Sequence, residues 1–362
     1  MRARRSRGLL YRRRRIIARM ETVAMAGEAA LPLNSLLQMG MGLWQSRALW
    51  LAARFRIADA LGNDPESIET IATRSQADPD ALERLLMALS AFGVFRMEPD
   101  GRVSHSDSSR LLRSDHPLSQ RSFVESVFGH EHYEAWGAIE EALRTGCAAF
   151  DVRYGAPVFV YFQEHPEAGR LFGEAMTSLT RLVEEAVLAA HDFGPFELGV
   201  DVGGSQGTLL RRIMSRTPGA RGILFDLPRV VEAAQQAWQG TDEATRLSVA
   251  GGDFFEAVPE DGDLYLLKFI LHDWDDARSI QILRNVRAAI RPHGRVVIME
   301  MVLPEDNSAH PGWLMDLNML VMTGGRERRA AQYEALFHAA GLEGERVIAT
   351  ASPISIIIAR PV

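Results

Sequence analysis

The chain of 362 residues predicts an α/β protein, with a helical N-terminal part followed by a parallel β-sheet covered by helices on both faces. Three observations carry that prediction. The apolar period changes near Phe193, from helical spacing to short strand-like runs that alternate with helices. The alternation is that of successive βαβ units. A glycine-rich segment, Asp201-Val202-Gly203-Gly204-Ser205-Gln206-Gly207, falls between a strand and a helix, where glycines allow a tight turn and close approach of a ligand.

The helical part runs from Leu33 to about Leu188. Leu36, Met39, Leu43, Ala48, Leu51 and Phe55 recur near a helical period. Ile68-Glu69-Thr70-Ile71-Ala72 predicts a short helix. Asp78-Pro79-Asp80 caps a second one, with Leu82, Leu85, Leu86 and Leu89 on its apolar face. Phe92-Gly93-Val94-Phe95 ends it, and Asp100-Gly101 turns the chain into Arg102-Val103-Ser104. Helix, helix and small ribbon is the outline of a winged helix. Its second helix carries only Arg84 as a basic residue, beside Asp80 and Glu83, which suits protein packing better than DNA.

In the second part the expected strands are Phe196–Val202, Gly222–Phe225, Leu247–Val249, Leu264–Phe269 and Val296–Glu300. Thr208–Ser215, Arg229–Trp238, Ala277–Ile290 and Ala330–Ala340 read as helices. Arg346–Thr350, a Ser352-Pro353 turn and Ile354–Ala359 read as two paired strands at one edge, the last nearly all apolar and therefore buried. The resulting division is a basic leader over 1–30, a helical domain over 31–188 and an α/β domain over 189–362.

Composition excludes several classes. Apolar residues make up 47% and charged residues 24%, ordinary values for a folded globular chain. A single cysteine, Cys147, rules out an intramolecular disulfide and a cysteine-rich metal site. No apolar run reaches the ~20 residues needed to span a bilayer, so the expected location is the cytoplasm, without membrane. Residues 1–20 hold nine arginines, and taking them from a net charge of −7 leaves −16 on the remainder. So acidic a body argues against nucleic acid as a partner. The leader reads as a dispensable tail, since an export signal would need a following apolar stretch. Lys268 is the one lysine among 40 basic residues.

The glycine loop does not match Gly-x-Gly-x-x-Gly, because Ser205 or Gln206 falls at the second glycine, so a dinucleotide pyrophosphate is not expected. The next strand ends at Asp226, 23 residues beyond Gly203, placed to accept hydrogen bonds from two ribose hydroxyls. The third strand ends at Gly252-Asp253-Phe254-Phe255, an acid and an aromatic ring suited to an adenine. Together these groups form an adenosine site at the carboxyl ends of three successive strands.

Asp201-Val202-Gly203-Gly204, Phe225-Asp226-Leu227-Pro228, Gly252-Asp253-Phe254-Phe255 and Lys268-Phe269-Ile270-Leu271-His272-Asp273-Trp274 occur in this order. In that order they resemble the S-adenosylmethionine-dependent small-molecule O-methyltransferases, the group of plant caffeate-type and bacterial phenazine- and anthracycline-modifying enzymes. The likeness runs from about Leu33 to the C-terminus. It implies a Rossmann-like class I methyltransferase domain behind a helical, winged-helix-like N-terminal dimerisation domain, and hence a homodimer. It also implies S-adenosyl-L-methionine as cofactor and a small aromatic hydroxylated natural product as substrate. By the same resemblance Gly203 contacts the cofactor, Asp226 its ribose, Asp253 and Phe254 its adenine end, with Lys268 near the adenine and Thr180 at the methionine carboxylate. His272 corresponds to the general base, and Glu300 and Glu327 to the acids flanking it. Phe172, Met176, Phe269 and Met322 correspond to substrate-lining positions. Ser205 departs from the family's third glycine, and Phe269 stands where tryptophan is frequent.

Methyl transfer of this kind needs alignment and removal of the acceptor proton. A neutral imidazole can take that proton, and a carboxylate on the far ring nitrogen fixes the tautomer. Either Glu300 or Glu327 can fill that place. Activity is then expected to rise with pH through an imidazole range of about 6 to 7. No metal is expected, since Asp273, Asp275 and Asp276 read as turn and helix caps and His130-Glu131-His132 as pocket lining or surface. Two other readings compete: the same fold and cofactor turned to hydroxylation, decarboxylation or N-methylation, which His272 with both glutamates disfavours, and a ligand-sensing winged-helix regulator, which the acidic helix disfavours.

Overall fold

The computed structural model describes residues 32–238 and 245–362. The arginine-rich segment 1–20 lies outside the described residues. Two compact units make up the chain, Met1–Ala48, described from Pro32 onward, and Leu49–Val362.

Helix follows helix up to Ala190, as the apolar spacing predicts. They are α1 (Pro32–Arg54), α2 (Ile57–Leu61), α3 (Ile68–Ser75), α4 (Pro79–Ala91), α5 (Asp107–Arg110), α6 (Arg121–Val127), α7 (His130–Gly137), α8 (Ile139–Thr145), α9 (Ala149–Tyr154), α10 (Val158–Glu164) and α11 (Pro166–Ala190). Between α4 and α5, β1 (Phe95–Met97) pairs antiparallel with β2 (Val103–His105). Local chemistry sets the starts of these helices. The Ser67 hydroxyl accepts from the Thr70 N–H at 3.3 Å and the Asp78 carboxylate from the Ala81 N–H at 2.9 Å. Each such cap contributes about 1 kcal/mol. Leu82, Leu86 and Leu89 are the buried face of α4.

Beyond Phe193 the chain alternates β3 (Leu198–Val202), α12 (Thr208–Ser215), β4 (Arg221–Asp226), α13 (Pro228–Trp238), β5 (Leu247–Gly251), β6 (Gly262–Lys268), α14 (Asp276–Ala289) and β7 (Ile290–Glu300). A short pair, β8 (Val302–Leu303) with β9 (Arg328–Arg329), encloses α15 (Gly312–Met322), and α16 (Ala330–Ala340), β10 (Leu342–Ala349) and β11 (Ser355–Pro361) close the chain. The main sheet has the order β10-β11-β7-β6-β3-β4-β5. β5, β4, β3, β6 and β7 are parallel, while β11 lies antiparallel between β7 and β10. The apolar last strand is therefore interior and the more polar β10 forms the edge.

Both sheet faces are covered, which is why Leu264–Leu267 of β6 is an uninterrupted apolar run. Tyr265 and Leu267 join a core with Val200, Ile298, Ile282 and Phe337, under α14 and α16. Their neighbours Leu264 and Leu266 point the other way, to Val187, Leu210, Ile213 and Ile356, under α11 and α12. Strand order reverses at β3: the chain runs outward through β4 and β5 on one side, then crosses back to β6 and β7 on the other. Open α/β sheets bind ligands outside the carboxyl ends of the strands at such a switch point.

The first unit leaves apolar surface open. Leu36, Met39, Leu43 and Trp44 of α1 are exposed, Trp44 by 71%. Among the described residues no helix is long and apolar enough to cross a membrane.

Candidate functional site

The carboxyl ends of β3, β4, β5 and β6 bring the predicted residues to one edge. Gly203 opens the loop after β3 with φ +67, and a Cβ there would stand 2.4 Å from Ile270 Cδ1 and 3.8 Å from Phe254 Cε1. Only glycine fits that approach. Ser205 also takes the left-handed region, at φ 55, which explains why glycine suits its position. Its N–H donates to Asp226 Oδ2 at 2.8 Å, while Asp226 Oδ1 accepts from the Leu227 N–H at 2.7 Å. The carboxylate is thereby locked at the end of β4 with lone pairs left over on both oxygens. Burial pushes its carboxyl above the usual range, against the pull of those two N–H groups.

Asp253 is exposed, and its Oδ1 accepts from the Phe255 N–H at 2.8 Å, a local turn that presents the two phenylalanines. The Asn285 amide donates to the Phe254 carbonyl at 2.8 Å and anchors that turn on α14. Asp201, buried on β3, has its carboxyl pushed up to about 7 by burial, with Lys268 pulling it back down. Burial pulls Lys268 down to about 8, opposed by Asp201. The Lys268 Nζ stands 4.7 Å over the Phe269 ring. Thr180 is buried on α11, and its hydroxyl donates to the Met176 carbonyl at 2.7 Å, so in this rotamer its proton is committed within the helix.

His272 sits in a one-turn 3₁₀ helix, Leu271–Asp273, just past β6. Its Nδ1 lies 2.8 Å from Glu327 Oε1, and both side chains are buried. An ionised carboxylate has no proton to give, so the ring donates from Nδ1, and in its neutral form the lone pair lies on Nε2. Glu327 is thus the acid that orients the imidazole. Glu300 makes no hydrogen bond to the ring. Its Oε1 accepts from the N–H groups of Ile270 at 3.0 Å, Leu271 at 2.6 Å and His272 at 3.2 Å, and its Oε2 accepts from the Tyr333 hydroxyl at 2.5 Å. It holds the turn from beneath. The loop bearing Glu327 reaches this turn because Gly325 has no side chain, since a Cβ would fall 2.0 Å from the His272 carbonyl oxygen.

Burial alone would pull the His272 imidazole down. The carboxylates of Glu327, Asp273 and Glu300 outweigh it, and the net direction is up. The expected range of about 6 to 7 is corrected upward for that reason. Burial pushes the Glu327 carboxyl up, with His272 opposing. Asp273 Oδ1 lies 3.9 Å from His272 Nε2.

Aromatic side chains wall the space beside this turn. Trp274 meets Phe255 edge-on at 4.7 Å and Phe254 edge-on at 6.1 Å between centroids, and lies tilted against Phe159 at 5.8 Å. Phe159 continues to Phe172 at 6.4 Å, and Phe172 stacks on Phe162 at 4.8 Å. Phe269, in the left-handed region at φ 57, stacks on His272 at 5.5 Å. Met176 is half-buried one turn before Thr180, whereas Met322 packs in the cluster of Phe150 and Val158. Trp274, Phe159, Phe162 and Tyr333 are residues that sequence reasoning did not place here. The one available signal was Trp274 inside the His272-Asp273-Trp274 triplet. Asp275 caps α14 by accepting from the Arg278 N–H at 2.8 Å. His130 pairs with Glu134 at 3.2 Å on the surface, and His132 is buried.

The fold and this edge define a doubly wound α/β enzyme with a carboxylate-oriented histidine at the carboxyl end of its sheet. A family model described as an O-methyltransferase domain matches residues 136–343, and one described as an O-methyltransferase dimerisation domain matches residues 37–115. The chain belongs to the O-methyltransferase family. It is 43% identical over 334 residues to a phenazine O-methyltransferase, PhzM, of Lysobacter antibioticus, covering 92% of this chain and 98% of that one. It is 38% identical to the O-demethylpuromycin-O-methyltransferase of Streptomyces alboniger, over 90% of this chain and 89% of the other. The crystal structure of human N-acetylserotonin methyltransferase in complex with SAM superposes with a TM-score of 0.86 at 27% identity, over 93% and 99% of the two chains.

Proposed function

We propose that this enzyme transfers a methyl group from S-adenosyl-L-methionine to a hydroxyl of a flat aromatic natural product, with His272 as general base. The observation that carries the reading is the His272 Nδ1–Glu327 contact of 2.8 Å, set beside the cleft of Asp226 and Gly203. The residues fit the cofactor. Asp226 has free lone pairs for ribose hydroxyls, and Phe254, within 4 Å of the Gly203 Cβ position, offers a ring face for the adenine. We assign Asp253 and Lys268 to the same end. When bound, the cofactor supplies a methyl already activated by the sulfonium charge.

The chain's own task is to align the acceptor and take its proton. Phe159, Phe172, Trp274 and Phe269 offer flat apolar faces to an aromatic ring, and Met176 adds an adaptable thioether. Nε2 of His272 takes the phenol proton, a step contributing roughly 10²- to 10⁴-fold. Glu327 then faces an imidazolium across Nδ1 and stabilises it. The phenazine and puromycin substrates named for the two relatives are both aromatic, which supports an acceptor of that class. The exposed apolar face of α1 lies within the dimerisation match, and we assign it to a second copy of the chain, with residues 31–188 as the dimerisation domain and 189–362 as the catalytic one.

Incubation with methyl-labelled S-adenosylmethionine and a panel of phenolic phenazines, anthracyclines and flavonoids tests the assignment. Label appearing on an acceptor oxygen supports it. Label only on nitrogen, or hydroxylation without methyl transfer, would replace it.

A further inference from the structure

We infer that Arg328 is a positioning residue for the reaction proposed above, its guanidinium gripping the two carbonyls that bracket His272. The inference rests on His272 acting as the base. Arg328 is wholly buried and, among the described residues, is the largest side chain so enclosed. Its Nη1 donates to the Leu271 carbonyl at 2.9 Å and its Nη2 to the Trp274 carbonyl at 2.7 Å. Nη2 also reaches Ser279 Oγ at 3.2 Å, and Nε donates to Asp276 Oδ1 at 3.0 Å. Ser279 Oγ in turn donates to the Leu271 carbonyl at 3.2 Å.

Burying a guanidinium costs several kcal/mol unless its donors are all used. An ion pair with Asp276 does not explain that cost, because the Asp276 side chain is half exposed and the pair could form at the surface. The carbonyl contacts do explain it. Leu271 and Trp274 are the residues on either side of His272-Asp273, so a planar fork joined to both fixes the pitch of the turn between them. The turn is then held on three sides. Glu300 takes its N–H groups, Glu327 takes the ring and Arg328, the following residue and the first of β9, takes its carbonyls. The Trp274 indole, hub of the aromatic wall, hangs from the same carbonyl grip. Displacing a reacting group by 1 Å costs roughly 10²-fold, so a loosened turn acts on turnover before it acts on binding.

Arg328→Lys and Arg328→Gln, with Ser279→Ala as the milder perturbation, test this in the full-length protein. Folded fraction is read from thermal unfolding, and kcat per folded molecule, acceptor KM and cofactor affinity are measured alongside. The expected result for Arg328→Lys is a fall in kcat of about 10- to 100-fold with both binding constants within about threefold of wild type. Ser279→Ala should lose at least about threefold in kcat at unchanged KM. A lower unfolding temperature with kcat per folded molecule unchanged would make Arg328 structural only and overturn the inference. If neither Arg328 variant folds, Ser279→Ala decides alone, and unchanged kcat there rejects the grip. His272→Ala assayed in parallel separates the two layers. Retained turnover in that variant sinks the base assignment itself, whereas lost turnover there with intact turnover in Arg328→Lys sinks only the positioning role.

Discussion

Replacing Glu327 with glutamine removes one negative charge and almost no volume from beneath the imidazole. The wild-type contact is 2.8 Å long and lies between two buried groups. A hydrogen bond to a charged partner contributes about 1.5 to 3 kcal/mol. At 1.36 kcal/mol per unit, this lowers the His272 pKa by about 1 to 2 units. Asp273 and Glu300 remain and still oppose the downward pull of burial. The base works when unprotonated, so the sign follows directly. In the wild type, kcat/KM should rise with pH through a midpoint above the ordinary histidine value of about 6.5. In Glu327→Gln the rise should begin about 1 to 2 units lower, since the neutral ring persists to lower pH. The plateau should also fall by at least about tenfold, because a weaker base remains and the amide can present an N–H that holds the wrong tautomer. The assay is kcat/KM over about pH 5 to 10 with a weakly acidic phenol, so that acceptor ionisation does not mask the enzyme. An unmoved midpoint would mean that the titrating group is not the imidazole on Glu327, and the electrostatic account of His272 would fall.

Three further outcomes are expected. His272→Ala should keep cofactor affinity and lose about 10²- to 10⁴-fold in turnover at neutral pH, with the loss shrinking as pH approaches the phenol's own pKa of about 10. Asp226→Ala should weaken the cofactor by about 1.5 to 3 kcal/mol in calorimetry while acceptor KM stays near wild type, and unchanged cofactor affinity would remove Asp226 from the site. Trp44→Glu places a charge on the exposed apolar face of α1 and should shift light-scattering mass from dimer toward monomer, whereas an unaltered mass would place the interface elsewhere.

Much of this chain was legible residue by residue because the signals are short in range. Period and caps announce α3, α4, α12 and α16, and the structure sets α12 at Thr208–Ser215 and α16 at Ala330–Ala340 as read. The βα alternation, the buried terminal strand and its polar edge partner follow from the same local patterning. Asp226 and Gly203 stand out in the sequence because a loop between strand and helix constrains which residues can stand there.

The surroundings of His272 were decided only by contacts between distant segments. Glu300 and Glu327 are equivalent on paper, each a carboxylate some tens of residues from His272. Which one meets the ring depends on how β7 and the loop before β9 close over a single 3₁₀ turn, where Glu300 ends under the backbone amides and Glu327 on Nδ1. Tyr333 and Arg328 gave no signal, since a tyrosine inside a helix and an arginine in an arginine-rich chain look ordinary until burial leaves them one set of partners. The upward pull on His272 has the same origin. Three carboxylates separated in sequence act together only where the fold removes the water that would screen them. Local sequence thus determined the elements and the residues at the carboxyl edge of the sheet. Long-range packing decided which acid meets the His272 ring and how that residue is held, because those choices depend on distances that no linear spacing encodes.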